Sequence, residues 1–227
     1  MSIKVIVTDI EGTTSSLSFV KDILFPYARA HLAAYVRAHA QTKHVRAELT
    51  AVNEIVGRTL TLDESIAQLI RWLDADKKIT PLKTLQGYIW EQGFRQRQFL
   101  GHIYEDAAQA LKKWHALGIK LYVYSSGSVY AQKLLYGHTA YGDLTPLFSG
   151  YFDTHIGAKV DAMSYRHIAE TAHAAPKEIL FLSDITAELD AAALAGMHTY
   201  WLVRDAAKPP GSGKHRTVRE FSEIELA

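Results

Sequence analysis

From Tyr104 onward the chain alternates short apolar runs with amphipathic segments, and this alternation limits its fold more than any other feature. Tyr104 to Leu117 has the three-and-four spacing of a helix and is closed by Gly118. IKLYVYSS (119–126) then reads as a strand, SVYAQKLLYGH (128–138) as a helix, and YFDTHIG (151–157) as a short strand. VDAMSYRHIAETA (160–172) reads as a helix, EILFLSD (178–184) as a strand, TAELDAAALAGM (186–197) as a helix, and HTYWLVR (198–204) as a last strand. Apolar strands separated by helices predict an α/β fold built on a doubly wound parallel sheet.

Ile3 to Thr8 is a fully buried strand by the same criteria. Between it and the alternating region, from about Val20 to Phe99, the pattern is helical throughout. KDILFPYARAHLAAYVRAH and LDESIAQLIRWL repeat apolar residues at three and four, and PLKTLQGYIWEQGF places Pro81 in a first helical turn. The expected organisation is an α/β core made of 1–16 and 100–227, with an all-helical cap, 17–99, inserted after the first strand. Such an insertion is expected above the carboxyl ends of the strands, where open α/β sheets bind ligands. KPPGSGK (208–214) reads as a flexible loop, and VREFSEIELA (218–227) as a tail packed on the sheet edge.

Composition excludes several functions. With 25 basic and 24 acidic side chains the formal net charge is +1, which argues against a nucleic-acid partner. The chain has no cysteine, so disulfides and thiolate chemistry are ruled out. MSIKVIVTD enters a strand directly, without the pattern of a secretory leader. No run approaches the roughly 18 apolar residues of a membrane span. A cytoplasmic protein, monomeric and without a membrane partner, is the expectation.

The strand ends carry the chemistry. The first gives Asp9 and Glu11 in DIEGTT, the second Ser125, Ser126 and Gly127, and the fourth Asp184, with Glu188 four residues on; Lys159 follows the short third strand. Any one of these alone would be a cap, a turn residue or a solvated charge. Parallel strands, however, bring all of them to one crevice. Clustered carboxylates repel unless a cation is present. Oxygen ligands at a partly open site suit Mg²⁺. A lysine and serine hydroxyls can hold phosphoryl oxygens, and a carboxylate can attack phosphorus to give an aspartyl-phosphate. An acid two residues on can protonate the leaving alcohol and then activate water. Phosphate-ester hydrolysis is the chemistry this set supports.

At DIEGT, YSSGS, GAK and FLSDITAE the sequence resembles the haloacid dehalogenase superfamily of aspartate-nucleophile phosphatases. Most of its phosphatases have Asp-x-Asp-Gly-Thr, whereas Glu11 stands here as the second acid. That departure, with LQGYIWEQGF, VYSSGSVYAQKLLYGHTAYGDL and YFDTHIGAKVDAMSYRHIA, resembles the enolase-phosphatase (acireductone synthase) branch of methionine salvage. The resemblance implies a substrate, 2,3-diketo-5-methylthiopentyl 1-phosphate, enolised and then dephosphorylated to 1,2-dihydroxy-3-keto-5-methylthiopentene. It implies one Mg²⁺ per chain on Asp9, the Glu11 main-chain carbonyl and Asp184. Asp9 would be the nucleophile, and Glu11 would carry the proton. Ser125, Ser126 and Lys159 would bind substrate. Phe19, Tyr88 and Trp90 are candidates for an apolar pocket that takes the methylthio tail, though helical spacing makes a core role the heavier expectation.

Three rivals differ in testable ways. A generic Mg²⁺-dependent phosphatase of the same superfamily would not enolise. A receiver-like phospho-acceptor module would lack the helical insertion and the acid at position 11. A haloalkanoic acid dehalogenase would need neither Glu11 nor Asp184 as a metal ligand. GSGKH (211–215) is not a phosphate-binding loop, because the upstream glycine is missing and His215 replaces the Ser or Thr.

Overall fold

The computed structural model describes residues 2–204 and 213–226. Two compact units emerge, Met1–Leu17 with Leu100–Ala227, and Ser18–Phe99. The loop expected at 208–214 falls largely outside the described residues.

In the first unit six strands form one sheet: β1 (Val5–Thr8), β2 (Lys120–Tyr124), β3 (Phe148–Phe152), β4 (Ile179–Ser183), β5 (His198–Leu202) and β6 (Arg216–Val218). Their order is β3-β2-β1-β4-β5-β6 and every pairing is parallel. The helices between them are α5 (Glu105–Ala116), α6 (Val129–Gly137), α7 (Ala162–Ala172) and α8 (Thr186–Leu194). All four residues of β1 and all five of β4 are buried, as strands covered on both faces must be. Strand order reverses direction at β1, which pairs with β2 on one side and with β4 on the other. Thr8 lies beside Val123 of β2 and Leu182 of β4. The residues just past these three strands therefore share one crevice.

Two expectations need correction. The third strand is Phe148–Phe152, not 151–157. Asp153 ends it, because its carboxylate accepts the N–H groups of His155 at 3.0 Å and Val129 at 3.2 Å and turns the chain out of the ladder. HTYWLVR is not the last strand: Arg216–Val218, which overlaps the expected tail only at Val218, pairs with β5 as a sixth. Three residues are too few to show a strand period in sequence.

The second unit is a helical bundle: α1 (Phe25–His39), α2 (Lys43–Val56), α3 (Leu62–Asp74) and α4 (Thr80–Arg95), preceded by a π-helical turn, Phe19–Leu24. Thr61 starts α3 with a capping box, its hydroxyl accepting the Glu64 N–H at 3.2 Å while the Glu64 carboxylate accepts the Thr61 N–H at 2.8 Å. The core holds Leu32, Val36, Leu69, Leu82, Leu85 and Ile89. The aromatic candidates are largely used here. Phe19 is buried with its ring edge-on to Phe99, Tyr88 packs against the bundle core, and the Trp90 indole donates to the Leu24 carbonyl at 2.8 Å. Among the described residues no helix is long and apolar enough to cross a membrane.

Leu85 is fully buried in this bundle, so Leu85→Ala leaves a cavity. Urea unfolding should show a loss of about 2–5 kcal/mol; a loss below the lower figure would mean the bundle collapses around the gap.

Candidate active site

The loop after β1 is a tight knot. The N–H groups of Thr13, Thr14 and Ser15 all point at the Ile10 carbonyl, at 3.2, 3.0 and 2.8 Å, and Gly12 N–H returns to the Ser15 carbonyl at 2.7 Å. Gly12 takes φ +75°, a conformation side chains resist. A Cβ at Gly12 would also run into the Asp184 carboxylate. This glycine is therefore what lets Asp184 approach the loop.

Asp9 continues the ladder through its N–H to the Leu182 carbonyl, 2.9 Å away, and is 5% exposed. One carboxylate oxygen meets Lys159 Nζ at 2.5 Å and the other accepts the Thr13 hydroxyl at 3.3 Å. The Thr14 hydroxyl donates to the Asp9 carbonyl at 3.2 Å and lies 2.7 Å from the Tyr136 hydroxyl of α6. Both side-chain oxygens and the main chain of Asp9 are thus held.

Lys159 is delivered by the turn before α7, where Tyr165 donates to its carbonyl at 2.7 Å and Ser164 to that of Ala158 at 2.7 Å. Its ammonium lies between Asp9 and Glu188, 2.7 Å from the Glu188 carboxylate. Burial works against its charge, but Asp9 and Glu188 outweigh it and raise its pKa. Glu188, in the first turn of α8, also accepts the Ser183 hydroxyl at 2.9 Å. The structure thus gives Glu188 a place as the anchor of Lys159. Burial, then the charge on Asp9, raises its own pKa.

Asp184 stands across the loop, its main-chain carbonyl accepting the Trp201 indole N–H at 3.0 Å. Its Oδ1 is buried without a hydrogen-bond partner. Burial, then the charge of Asp9, pushes its pKa up to about 7. Three buried or half-buried carboxylates, Asp9, Asp184 and Glu188, thus lie near one ammonium, which pairs directly with Asp9 and Glu188 only. An orphaned carboxylate oxygen and uncompensated negative charge fit a small hard cation held by oxygen donors. Among the described residues no three His, Cys, Asp or Glu side chains form a metal cage. Two carboxylates and a main-chain carbonyl, with the remaining positions left to water and phosphate, is the arrangement that suits Mg²⁺.

The remaining candidates lie on neighbouring loops. Glu11 is half-buried, and its main chain bridges to Ser15. Ser125 is buried at the end of β2, its N–H on the Phe152 carbonyl at 3.1 Å and its hydroxyl accepting the Gly127 N–H at 3.1 Å. Ser126 is exposed on the same turn. Asp9, Lys159, Glu188 and Thr13 are joined by direct contacts, and Asp184 is joined to them through Gly12 and the field of Asp9. Ser125 belongs to the next loop, with its hydroxyl proton free to point at a ligand. Tyr136 and Arg204 carry no signal in the sequence, since each acts through a contact that only the fold creates; Thr13 is the last residue of DIEGT, but its hydroxyl bond to Asp9 shows only in the fold.

Residues 3–196 match the family described as haloacid dehalogenase-like hydrolase, and the chain belongs to it. The nearer relatives are narrower in kind. The chain is 61% identical over 204 residues to enolase-phosphatase E1 of Methylococcus capsulatus, covering 89% of this chain and 90% of that one. It is 55% identical over 221 residues to enolase-phosphatase E1 of Thioalkalivibrio sulfidiphilus, covering 97% and 98%. Among solved structures it resembles the UTR4 protein of Saccharomyces cerevisiae, with a TM-score of 0.83 and 31% identity over 98% of this chain and 100% of that one.

A prediction follows from the charge balance. The Asp184 carboxyl, ordinarily near 3.8, titrates near 7 in the metal-free fold. The folded state therefore binds more protons than the unfolded one in that window, and the metal-free protein loses stability as pH rises through it. A divalent ion must displace that proton. Mg²⁺ should accordingly raise Tm more at about pH 8 than at about pH 5.5, by calorimetry. Gly12→Ala, which pushes Asp184 away, should remove the effect; an equal Mg²⁺ shift in that variant would count against the assigned cation place.

Proposed function

We propose that the chain is an enolase-phosphatase of methionine salvage. It enolises 2,3-diketo-5-methylthiopentyl 1-phosphate and then hydrolyses the phosphate to leave 1,2-dihydroxy-3-keto-5-methylthiopentene. The observation that carries the reading is the nucleophile knot. A buried Asp9 has its carboxylate clamped by Lys159 and Thr13, an orphaned Asp184 oxygen stands across Gly12, and Glu11 lies two residues along the same loop. The identity to enolase-phosphatases over nearly the whole chain supports the narrower substrate.

Asp9, the Glu11 main-chain carbonyl and Asp184 would hold Mg²⁺. Bound there, Mg²⁺ supplies positive charge that screens the phosphate and polarises the diketone oxygens. The chain's own residues do the rest. Asp9 attacks phosphorus, the phosphorus–oxygen ester bond breaks, and an aspartyl-phosphate forms. Glu11 gives its proton to the departing oxygen. As a carboxylate it then takes a proton from the water that attacks the acyl phosphate, so free Asp9, phosphate and protonated Glu11 are regenerated. Lys159 passes from Asp9 to a phosphoryl oxygen, with Glu188 keeping it in place. The Ser125 hydroxyl and the Ser126 loop bind the phosphate or the diketone.

Glu11 also explains the departure from the usual second aspartate. Enolisation needs a base at the carbon beside a carbonyl, and hydrolysis an acid at the bridging oxygen. Glutamate adds one methylene of reach at unchanged chemistry. The helical unit would be the cap, from its insertion in the sequence between the nucleophile loop and the rest of the core. A cytoplasmic monomer with one Mg²⁺ per chain goes with this function.

Turnover of the synthetic diketo-phosphate tests the reading. Chelation of Mg²⁺ and Asp9→Asn should each reduce phosphate release by at least about a thousandfold. Phosphate release that persisted in the Asn variant would refute covalent catalysis by Asp9. Glu11→Asp should slow enol formation, followed by its ultraviolet absorbance, and phosphate release by different factors, at least one of them about a hundredfold. Wild-type rates for both steps would defeat the reach argument.

A further inference from the structure

The loop that carries Asp9 is gripped from the far side by residues with no part in the chemistry above. Arg204, just beyond β5, aims Nε and Nη2 at the Thr13 carbonyl, at 3.0 and 2.8 Å. Its Nη1 pairs with Asp106 of α5 at 2.7 Å and reaches the Arg219 carbonyl at 3.2 Å. The guanidinium lies 4.2 Å from the centre of the Tyr104 ring and 5.2 Å from that of Phe221. Asp106 in turn accepts the Phe221 N–H at 2.7 Å, and the Arg204 and Asp106 side chains are only 12% and 16% exposed. Tyr104 and His102 add grips on either side. The Tyr104 N–H donates to the Thr14 carbonyl at 2.9 Å, and the Ser16 N–H donates to His102 Nδ1 at 3.0 Å.

Two N–H bonds from one planar guanidinium fix the direction of a carbonyl, which a single ammonium does not. The carbonyl fixed here belongs to Thr13, whose hydroxyl donates to the Asp9 carboxylate. We propose that Arg204 is a positioning residue for phosphoryl transfer: by gripping the Thr13 carbonyl it keeps the Thr13 hydroxyl on Asp9 and the nucleophile in its attacking orientation. Through Asp106, Phe221 and Arg219 the same grip ties the C-terminal segment to the nucleophile loop. The proposal rests on the reading of Asp9 as the nucleophile.

The test uses the full-length protein and two esters, the diketo-phosphate and p-nitrophenyl phosphate. Arg204→Met should lower kcat for both about ten- to a hundred-fold, while KM changes by less than about threefold. Arg204→Lys, which keeps the charge but not the fork, should not restore kcat. If Arg204 acts through Thr13, then in a Thr13→Val background Arg204→Met should cost no more than about threefold further. Arg216→Met removes an exposed arginine that pairs with Glu225, away from the loop, and should stay within about twofold of wild type. Unchanged kcat in Arg204→Met with only a lowered Tm, or losses that multiply in full with Thr13→Val, would overturn the proposal. Should Arg204→Met fail to fold, Arg204→Lys is read by the same two criteria. Activity in Asp9→Asn would strike the underlying reading, whereas unchanged kcat in Arg204→Met strikes this proposal alone.

Discussion

The site is organised around one buried ammonium shared by two carboxylates. Lys159 lies 2.5 Å from Asp9 and 2.7 Å from Glu188, with its side chain 11% exposed. Burying a charge costs several kcal/mol per ion unless it is paired and hydrogen-bonded. The pairing explains how the fold tolerates Asp9 at the end of a fully buried strand. Asp184 stands outside that pairing: the attraction of Lys159 reaches it but does not offset burial and the charge of Asp9. Burial, then the charge of Asp9, raises the pKa of Asp184, and its Oδ1 is left orphaned, with no hydrogen-bond partner. A hard divalent cation bound there would offset both. On the proposed reading, stability of the loop and affinity for the ion would thus depend on the same buried carboxylates.

Much of this was legible in the sequence because parallel strands convert sequence order into proximity. Asp9, Ser125 and Asp184 lie far apart in the chain, yet the register of Thr8 with Val123 and Leu182 places the loops that follow side by side. A motif at the end of an apolar run therefore carries positional information that the same residues in a helix would not. Glu188 was visible as an acid four residues after Asp184, but its role was not. Only the three-dimensional structure shows that it anchors Lys159. The displaced third strand has a local cause. YFDTHIG looks like a strand by its aromatic and β-branched content, and Asp153 overrides that by turning its own backbone.

What sequence reading could not find are residues that act on main-chain atoms. Arg204 follows an ordinary strand, and nothing in HTYWLVR distinguishes it from a solvated arginine. Its target is the carbonyl of a residue 191 positions away. Tyr136 is hidden for a different reason: it is fully buried in α6, burial drives its phenol pKa far up, and its hydroxyl meets the Thr14 hydroxyl across 122 positions of sequence. A side chain that binds another side chain leaves two chemical clues in the sequence. One that binds a carbonyl leaves only its own, because every residue has a carbonyl.

The contacts also differ in what they can do during a reaction. In the proposed reaction Lys159 trades Asp9 for a phosphoryl oxygen, so its contact with that carboxylate has to be replaceable. The Glu188 carboxylate makes that exchange tolerable, because the ammonium keeps one partner throughout. The Arg204 grip on Thr13 has no such need, and its geometry reflects that. It is a fork on a carbonyl, flanked by two rings and closed by Asp106, with little exposure to water. Electrostatic catalysis depends on groups already in place before charge moves, since reorganising them at the transition state would add to the barrier. On that ground the loop divides into a movable side, facing phosphate, and a fixed side, facing the sheet edge and the C-terminal segment. On the proposed mechanism the orientation of Asp9 is owed to the fixed side.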